Sequence, residues 1–417
     1  MRLGGRGETL GRTTGASGGV ILVFMPLPVA EVQRALADEG LDGWLLYDFQ
    51  GSNPIAARLS GLAAGKKMTT RRWYYLIPAT GEPRGLVHAI ERHNLDGLPG
   101  DKKPYAGRDR LEDGLRGLLM GLRKVAMEYS PGNNIPYISR VDAGTIESVR
   151  DLGVEVVSSG DLVQRFEALW SAEALASHQT ASDALYRVKD QAFAFVRERL
   201  TAGVALTEFD VQQAMMAWMD AEGLTSSDTP NVSAQENAGN PHYHPSREAH
   251  RSIRPNEVLL LDLWGKLRDP GAVFADITWV GFTGSTVPEQ YARAFAAARD
   301  GRDAAVDLVQ SAARGGRELR GFEVDRTCRA VVEKAGYGAE FIHRTGHSLG
   351  ETVHGNGVHL DDYETHDDRR VIPGTGFTIE PGVYTSSFGV RTEINMFMAE
   401  GDAYVSGPRQ EAILPLG

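Results

Sequence analysis

The chain has 417 residues, 42% of them apolar and 24% charged, with a mean hydropathy of −0.28 and a formal net charge of −11. These values describe a globular protein long enough for two or three cores. The acidic balance excludes nucleic acid and anionic membrane as main partners, because both call for a basic surface. No apolar run reaches the length of a bilayer span. The single cysteine, Cys328, cannot form an internal disulfide and reads as a buried spectator, so the expectation is a cytoplasmic enzyme.

The first 24 residues are Gly-rich and unpatterned. Together with VILVFMPLPVA they imitate a secretory signal, but Pro26 and Pro28 interrupt the apolar stretch. Residues 1–24 therefore read as a flexible extension ahead of Met25. From 31 to 160, GWLLYD (43–48), RRWYYLIP (71–78), PRGLVHAI (83–90) and KVAMEYS (124–130) read as strands, while EVQRALADEG and LEDGLRGLLMGL read as amphipathic helices. Residues 25–164 are thus expected to form a smaller α/β domain for recognition or assembly. From about 161 to 222 the chain turns helical, with Met215, Met216 and Met219 as core. Residues 165–417 form the second expected domain, in which β-hairpins alternate with helices near 290–313 and 322–335.

Chemistry concentrates in three segments of that second domain. VLLLDLWGKLRDPGAVFADITWVGF (258–282) reads as a hairpin about Arg268-Asp269-Pro270-Gly271. Centred on Asp269, it sets Asp262 directly opposite Asp276, with Cβ atoms roughly 4.5–5.5 Å apart. Two facing carboxylates among apolar residues need a shared proton or a cation. The pattern recurs at FTIEPGVYTSSFGVRTEINMF (377–397), where Glu380 and Glu393 are symmetric about Ser386-Ser387, and period-2 alternation puts Arg391 on the face of Glu393. Between them, HRTGHSLGETVHGNGVHLDD (343–362) holds His343, His347, His354 and His359, four of the chain's eleven histidines. Four carboxylates with one imidazole match two divalent cations, manganese, cobalt, zinc or iron in preference to copper. Such a pair can lower the pKa of a bridging water from 15.7 toward about 7, and hydrolysis is the natural chemistry.

With these residues in place, the chain resembles the pita-bread metallopeptidases, and in particular the Xaa-Pro branch that holds prolidase and aminopeptidase P. The carriers are Asp262 in LLLDLWG, Asp276 in FADITW, His347 in TGHSLG, Glu380 in TIEPGVY and Glu393 in VRTEI. The resemblance implies an α+β pita-bread catalytic domain over 165–417, preceded by a smaller α/β creatinase-like N-terminal domain. It implies two metal ions on those five residues, Mn²⁺ first and Co²⁺ or Zn²⁺ next, with Glu380 also taking a proton from the attacking water. His354 would contact the substrate and the oxyanion, His242 would lie near the leaving group with His244 as its competitor, and Arg391 would orient a ligating carboxylate. Homodimerisation is a further implication.

Four functions compete on this reading: a prolidase cleaving Xaa-Pro dipeptides, an aminopeptidase P acting on longer peptides, a metal-free creatinase-like hydrolase, and a non-catalytic peptide-binding module. The complete ligand set disfavours the last two, and the additional N-terminal domain disfavours methionine aminopeptidase. A dipeptidase must bind the free carboxylate beside proline. The candidates for that contact are His359, His366, Arg369, Arg370 and an N-terminal arginine such as Arg71 or Arg72. Asp269, Asp361, Asp362, Asp367 and Asp368 read as solvated loop charges, Tyr243 as packing, and His359 and His366 as lying on an exposed loop. The preferred reading is a prolidase whose partners are short proline-containing peptides.

Overall fold

A computed structural model describes residues 27–62 and 69–417. The expected extension over 1–24 lies outside the described residues. The chain divides into two compact units, one ending at Leu122 and the other spanning Arg123–Gly417.

In the first unit, α1 (Val29–Asp38) buries a stripe of Val32, Ala35 and Leu36 at helical spacing. Strands β1 (Gly43–Asp48) and β2 (Trp73–Pro78) are buried at every position, as in a sheet covered on both faces. Between them α2 (Pro54–Leu59) starts on Asn53, whose side chain accepts from the Ala56 N–H at 3.0 Å. β3 (Arg84–His88), β4 (Asp101–Tyr105) and α3 (Arg108–Leu119) complete the unit, in strand order β4-β3-β2-β1.

The second unit opens with β5 (Lys124–Met127), α4 (Ala143–Arg150), β6 (Glu155–Ser158) and α5 (Gly160–Glu167), with β5 and β6 parallel. The helical stretch expected from 161 to 222 is interrupted at 168–171. There Trp170 turns into the protein and its indole N–H donates to the Leu349 carbonyl at 3.2 Å. Ser171 then caps the long α6 (Ala172–Thr201) through the Ala174 N–H. α7 (Glu208–Ala221) follows with a Thr207/Asp210 capping box. Met215 and Met219 are buried, whereas Met216 is 39% exposed and is not core.

One sheet is built from β7 (Leu224–Thr225), β8 (Asn231–Ala234), β9 (Val258–Leu267), β10 (Ala275–Phe282) and β17 (Leu414–Pro415). In β9 and β10 the odd-numbered Leu259, Leu261, Leu263, Ala275 and Ile277 join the core made with α6 and α7. Alternation therefore carries Asp262, Asp276 and Thr278 to the other face. The register corrects the expected pairing: Asp262 lies opposite Thr278 and Asp276 opposite Trp264, so the two aspartates are diagonal neighbours. The observed pairs centre the hairpin on Pro270, one residue beyond the expected Asp269, which moves each residue's partner by two positions.

Helices α8 (Glu289–Gly315) and α9 (Gly321–Lys334) cover a second core containing Phe295, Val306, Val324, Phe377, Ile379 and Met396. Its sheet has the order β11 (Ser348–Leu349), β12 (Gly376–Ile379), β15 (Ile394–Ala399), β16 (Asp402–Ser406), and a small ribbon pairs β13 (Gly382–Tyr384) with β14 (Gly389–Arg391). Ile379 pairs with Ile394 and Gly382 with Arg391, and this register brings Glu380 level with Glu393 across the break at Pro381.

Candidate metal centre

The two sheets meet through the backbone at the site, where the Glu393 N–H donates to the Thr278 carbonyl at 3.2 Å. His347 enters just before β11. Its N–H donates to Thr378 Oγ1 at 2.9 Å and its carbonyl accepts from the Thr378 N–H at 2.8 Å. The preceding Gly346 is required by this close approach, since a Cβ there would overlap the Thr378 carbonyl oxygen. The Glu380 N–H is held by the Thr345 carbonyl at 2.7 Å. The Asp276 N–H donates to Asn395 Oδ1 at 2.9 Å, and Asn395 Nδ2 donates back to the Asp276 carbonyl.

The side chains converge. His347 Nε2 lies 3.6 Å from Asp276 Oδ2 and 3.4 Å from Glu380 Oε1. One ligand atom from each of Asp276, His347 and Glu393 falls within 4.8 Å of the others. His347 Nδ1 donates to the Ser348 carbonyl at 3.1 Å, which leaves the Nε2 lone pair for a ligand. Arg391 Nη2 pairs with Asp262 Oδ2, and its Nε donates to Thr278 Oγ1 at 2.8 Å. The Thr278 hydroxyl in turn donates to Glu393 Oε2 at 2.6 Å, with Asp262 Oδ1 3.1 Å away. Asp262, Glu380 and Arg391 line the same cavity of about 590 Å³ as the three convergent residues.

The electrostatics are those of a site with too much negative charge. Burial, then Asp262 and Glu380, push Asp276 well above the usual carboxylate range, and burial and Asp276 do the same to Glu393. Burial also acts on Glu380, but His347 and Arg391 outweigh it and hold that carboxyl below its ordinary value. Burial pushes the His347 pKa below its ordinary value. Asp276 Oδ1 and Glu393 Oε1 are buried with no hydrogen-bond partner. Orphaned acceptors of this kind are costly unless a cation takes them, so an oxygen-rich set with one free imidazole nitrogen fits a divalent metal.

His354 sits on the cavity wall with its ring edge-on to His347, 4.4 Å between centroids. His242 and His244 line the cavity as well, and His244 also meets Trp264 edge-on. The loop that carries them is tied down by Tyr243, whose hydroxyl donates to the buried Glu208 at 2.5 Å, so Tyr243 does more than pack.

The structure places two of the expected substrate-binding residues away from the cavity lining. His359 is 1% exposed, accepts the Ser348 N–H at 3.1 Å on Nδ1, and does not line the cavity. His366 is engaged by Asp362 at 2.5 Å and stacks on Phe322, also away from the cavity lining. The loop charges are not generally solvated either. Asp361 is buried, accepting the N–H groups of Tyr363, Glu364 and Thr365, and Asp367 is buried against Arg369. Asp362 pairs with Arg326, whereas Asp269 and Asp368 are exposed as expected. Arg369 and Arg370 are already paired, with Asp367 and Asp161, and Arg71 and Arg72 belong to the other compact unit. Sequence reasoning missed Thr278 and Asn395, each two residues beyond an acidic ligand candidate and thus on its strand face. It also missed Arg344 and Tyr137 on the cavity wall.

Comparison with known proteins adds to this picture. The model of metallopeptidase family M24 matches residues 177–400, more than half of the chain. An Xaa-Pro dipeptidase of Lactobacillus helveticus is 32% identical over 206 residues, 48% of this chain and 47% of that protein. The chain thus spans about half the length of the curated relatives it matches. Among solved structures, the dipeptidase PepE from Mycobacterium ulcerans superposes with a TM-score of 0.65 at 22% identity, covering 93% of this chain and 96% of that one. A prolidase from Thermococcus sibiricus gives 0.57 at 19%, over 93% and 98%. These structures bear out the expected fold, pita-bread with an additional N-terminal part.

Proposed function

This chain belongs to metallopeptidase family M24, and within that family we propose that it hydrolyses the Xaa-Pro bond of short peptides, with dipeptides preferred, using two divalent metal ions on Asp262, Asp276, His347, Glu380 and Glu393. The observation that carries the reading is the pair of buried, unpartnered oxygens, Asp276 Oδ1 and Glu393 Oε1, in a cluster that converges on His347. The names of the similar proteins, Xaa-Pro dipeptidase and prolidase, support the substrate class.

Bound metal would supply Lewis-acid polarisation and a nucleophilic water at neutral pH, with manganese the first candidate and cobalt or zinc the next. The chain's own residues would do the rest. Glu380, held below its ordinary pKa and oriented by the Thr378 hydroxyl at 3.1 Å, accepts the proton of the attacking water. His354, on the wall beside His347, donates to the developing oxyanion. His242 or His244 meets the leaving nitrogen. Arg391 and Thr278 keep Asp262 and Glu393 in place. The proposal retains a cytoplasmic homodimer, with residues 25–164 serving recognition and assembly.

The test is hydrolysis of Xaa-Pro against Xaa-Pro-Xaa by the manganese-loaded chain. Faster cleavage of the dipeptide is expected. Clear preference for the tripeptide would assign an aminopeptidase P activity instead, and cleavage of neither would remove the peptidase reading.

A further inference from the structure

Outside the cavity lining, a fully buried guanidinium joins the two sheets that carry the metal centre. Arg302 sits on α8 beside Gly301, where that helix closes on α9; a Cβ at Gly301 would meet Cys328 Sγ at 3.1 Å. Its Nη1 donates to Thr392 Oγ1 at 2.8 Å and to the Gln410 carbonyl at 2.8 Å, while its Nε donates to Asp303 Oδ1 at 2.9 Å. Gln410 grips β10 through its amide: Oε1 accepts the Val280 N–H at 2.9 Å, and Nε2 donates to the Val280 carbonyl at 2.6 Å. β10 is the strand of Asp276 and Thr278. Thr392 stands between Arg391 and Glu393, and its N–H donates at 3.3 Å to the carbonyl of Pro381, the residue after Glu380.

Strand pairing does not fix the chain at this point. The ladder of β12 and β15 ends at Ile379 and Ile394, and the ribbon of β13 and β14 begins at Gly382 and Arg391, so Glu380 and Glu393 lie in the gap. There the backbone around Glu393 is held by N–H bonds of 3.3 Å at Thr392 and 3.2 Å at Glu393. The bond from Arg302 is charge-assisted, 2.8 Å long and shielded from water, which makes it the strongest anchor on that stretch of backbone. A buried cation is costly unless its donors are used. Here one nitrogen ties the segment of Glu393 to the residue that clamps the strand of Asp276. Resting on the two-metal reading above, we infer that Arg302 is a positioning residue: through Thr392 and Gln410 it sets the spacing of Glu393 from Asp276, whose ligand atoms lie within 4.8 Å of each other, and so the geometry in which both carboxylates can hold metal. It touches neither metal nor substrate.

The experiment titrates Mn²⁺ by calorimetry into the chelator-stripped full chain and its Thr392→Val, Thr392→Ser and Arg302→Met variants. Urea unfolding of each stripped protein and the electron paramagnetic resonance spectrum of each loaded one are recorded in parallel. Thr392→Val removes the acceptor and keeps the shape of the buried side chain. It is expected to weaken Mn²⁺ binding by about 10- to 100-fold, the scale of one hydrogen bond to a charged group, and to alter the spectrum of the two coupled ions. Thr392→Ser, which keeps the hydroxyl, stays close to the wild type. Arg302→Met loses at least as much as Thr392→Val, and the double variant loses no more than Arg302→Met alone, because the two changes remove one interaction. If Arg302→Met does not fold, the Thr392 variants carry the test. A folded Thr392→Val with wild-type Mn²⁺ affinity and spectrum overturns the inference whatever its urea stability, because that is the mark of a merely structural contact. Losses that simply add in the double variant, or a Thr392→Ser as weak as Thr392→Val, overturn it too. In each of these cases the metal reading survives. A wild type that binds no Mn²⁺ overturns the metal reading and this inference together.

Discussion

Thr278→Val replaces a fully buried hydroxyl by a methyl of nearly the same shape, at a point where three charged side chains meet. The hydroxyl accepts from Arg391 Nε at 2.8 Å and donates to Glu393 Oε2 at 2.6 Å. Glu393 must be ionised to bind a cation, while burial and Asp276 push it toward the protonated form. The hydroxyl's hydrogen bond is thus strongest in the metal-loaded state, and its loss falls mainly there. A hydrogen bond to a charged group contributes about 1.5–3 kcal/mol. At about 1.36 kcal/mol per tenfold change, this converts to roughly 10- to 150-fold weaker Mn²⁺ binding. Calorimetric titration of Mn²⁺ into the chelator-stripped protein measures the change directly. Thr278→Ser, which keeps the hydroxyl, should retain most of the affinity. A Thr278→Val dissociation constant equal to that of the wild type would refute the claim that this hydroxyl supports a ligand carboxylate.

Glu380→Gln should lower kcat by about 10²–10⁴-fold, the range for a lost general base, with an unchanged circular dichroism spectrum; near-normal turnover would remove Glu380 from that role. His178 is buried, donating from Nδ1 to the Phe274 carbonyl at 2.8 Å and accepting the Ser406 hydroxyl on Nε2 at 2.9 Å, and burial lowers its pKa to about 4. The unfolded chain takes up this proton near pH 6.5 and the folded chain only near pH 4. The stability is therefore complete above pH 6.5 and declines by about 3 kcal/mol as the pH falls to 4. Other buried histidines, His343 among them, add to the decline. Urea unfolding at several pH values should therefore show a folded His178→Gln variant losing less stability than the wild type between pH 6.5 and 4, by about that amount; an equal loss in both would refute the assignment. Tyr243→Phe removes the hydroxyl that holds the His242–His244 loop to Glu208. It should cost about 1–2 kcal/mol in urea unfolding and raise KM, and a variant altered in neither would show that the tether is dispensable.

Features set by short-range pattern were legible from sequence. The strand at GWLLYD matches β1 residue for residue, because a continuous apolar run bounded by Gly and Asp fits a covered strand. The symmetry of Glu380 and Glu393 about Ser386-Ser387 is the register observed on both sides of Pro381. The first hairpin is centred on Pro270 and not on Asp269, because the Asp269-Pro270-Gly271 turn signal locates the bend without fixing its centre to the residue. Polarity likewise misplaced the 357–370 loop. Asp361 and Asp367 read as solvated, yet each is buried satisfying loop backbone N–H groups, Asp361 those of the residues after it and Asp367 those of His359 and Arg369. His359 and His366 went astray with them. Arg344 lay unnoticed between two histidines that drew all the attention, and its clamp Tyr137 comes from a segment assigned to the other domain. Only long-range packing brings those two together.

The central claim is that metal on the carboxylate–imidazole cluster drives peptide hydrolysis. Proline release from an Xaa-Pro dipeptide, followed as Mn²⁺ is returned to the stripped chain, tests it most directly. Activity should be absent in the stripped protein and return with added Mn²⁺, saturating at two ions per chain. Full activity in the stripped protein would contradict the account.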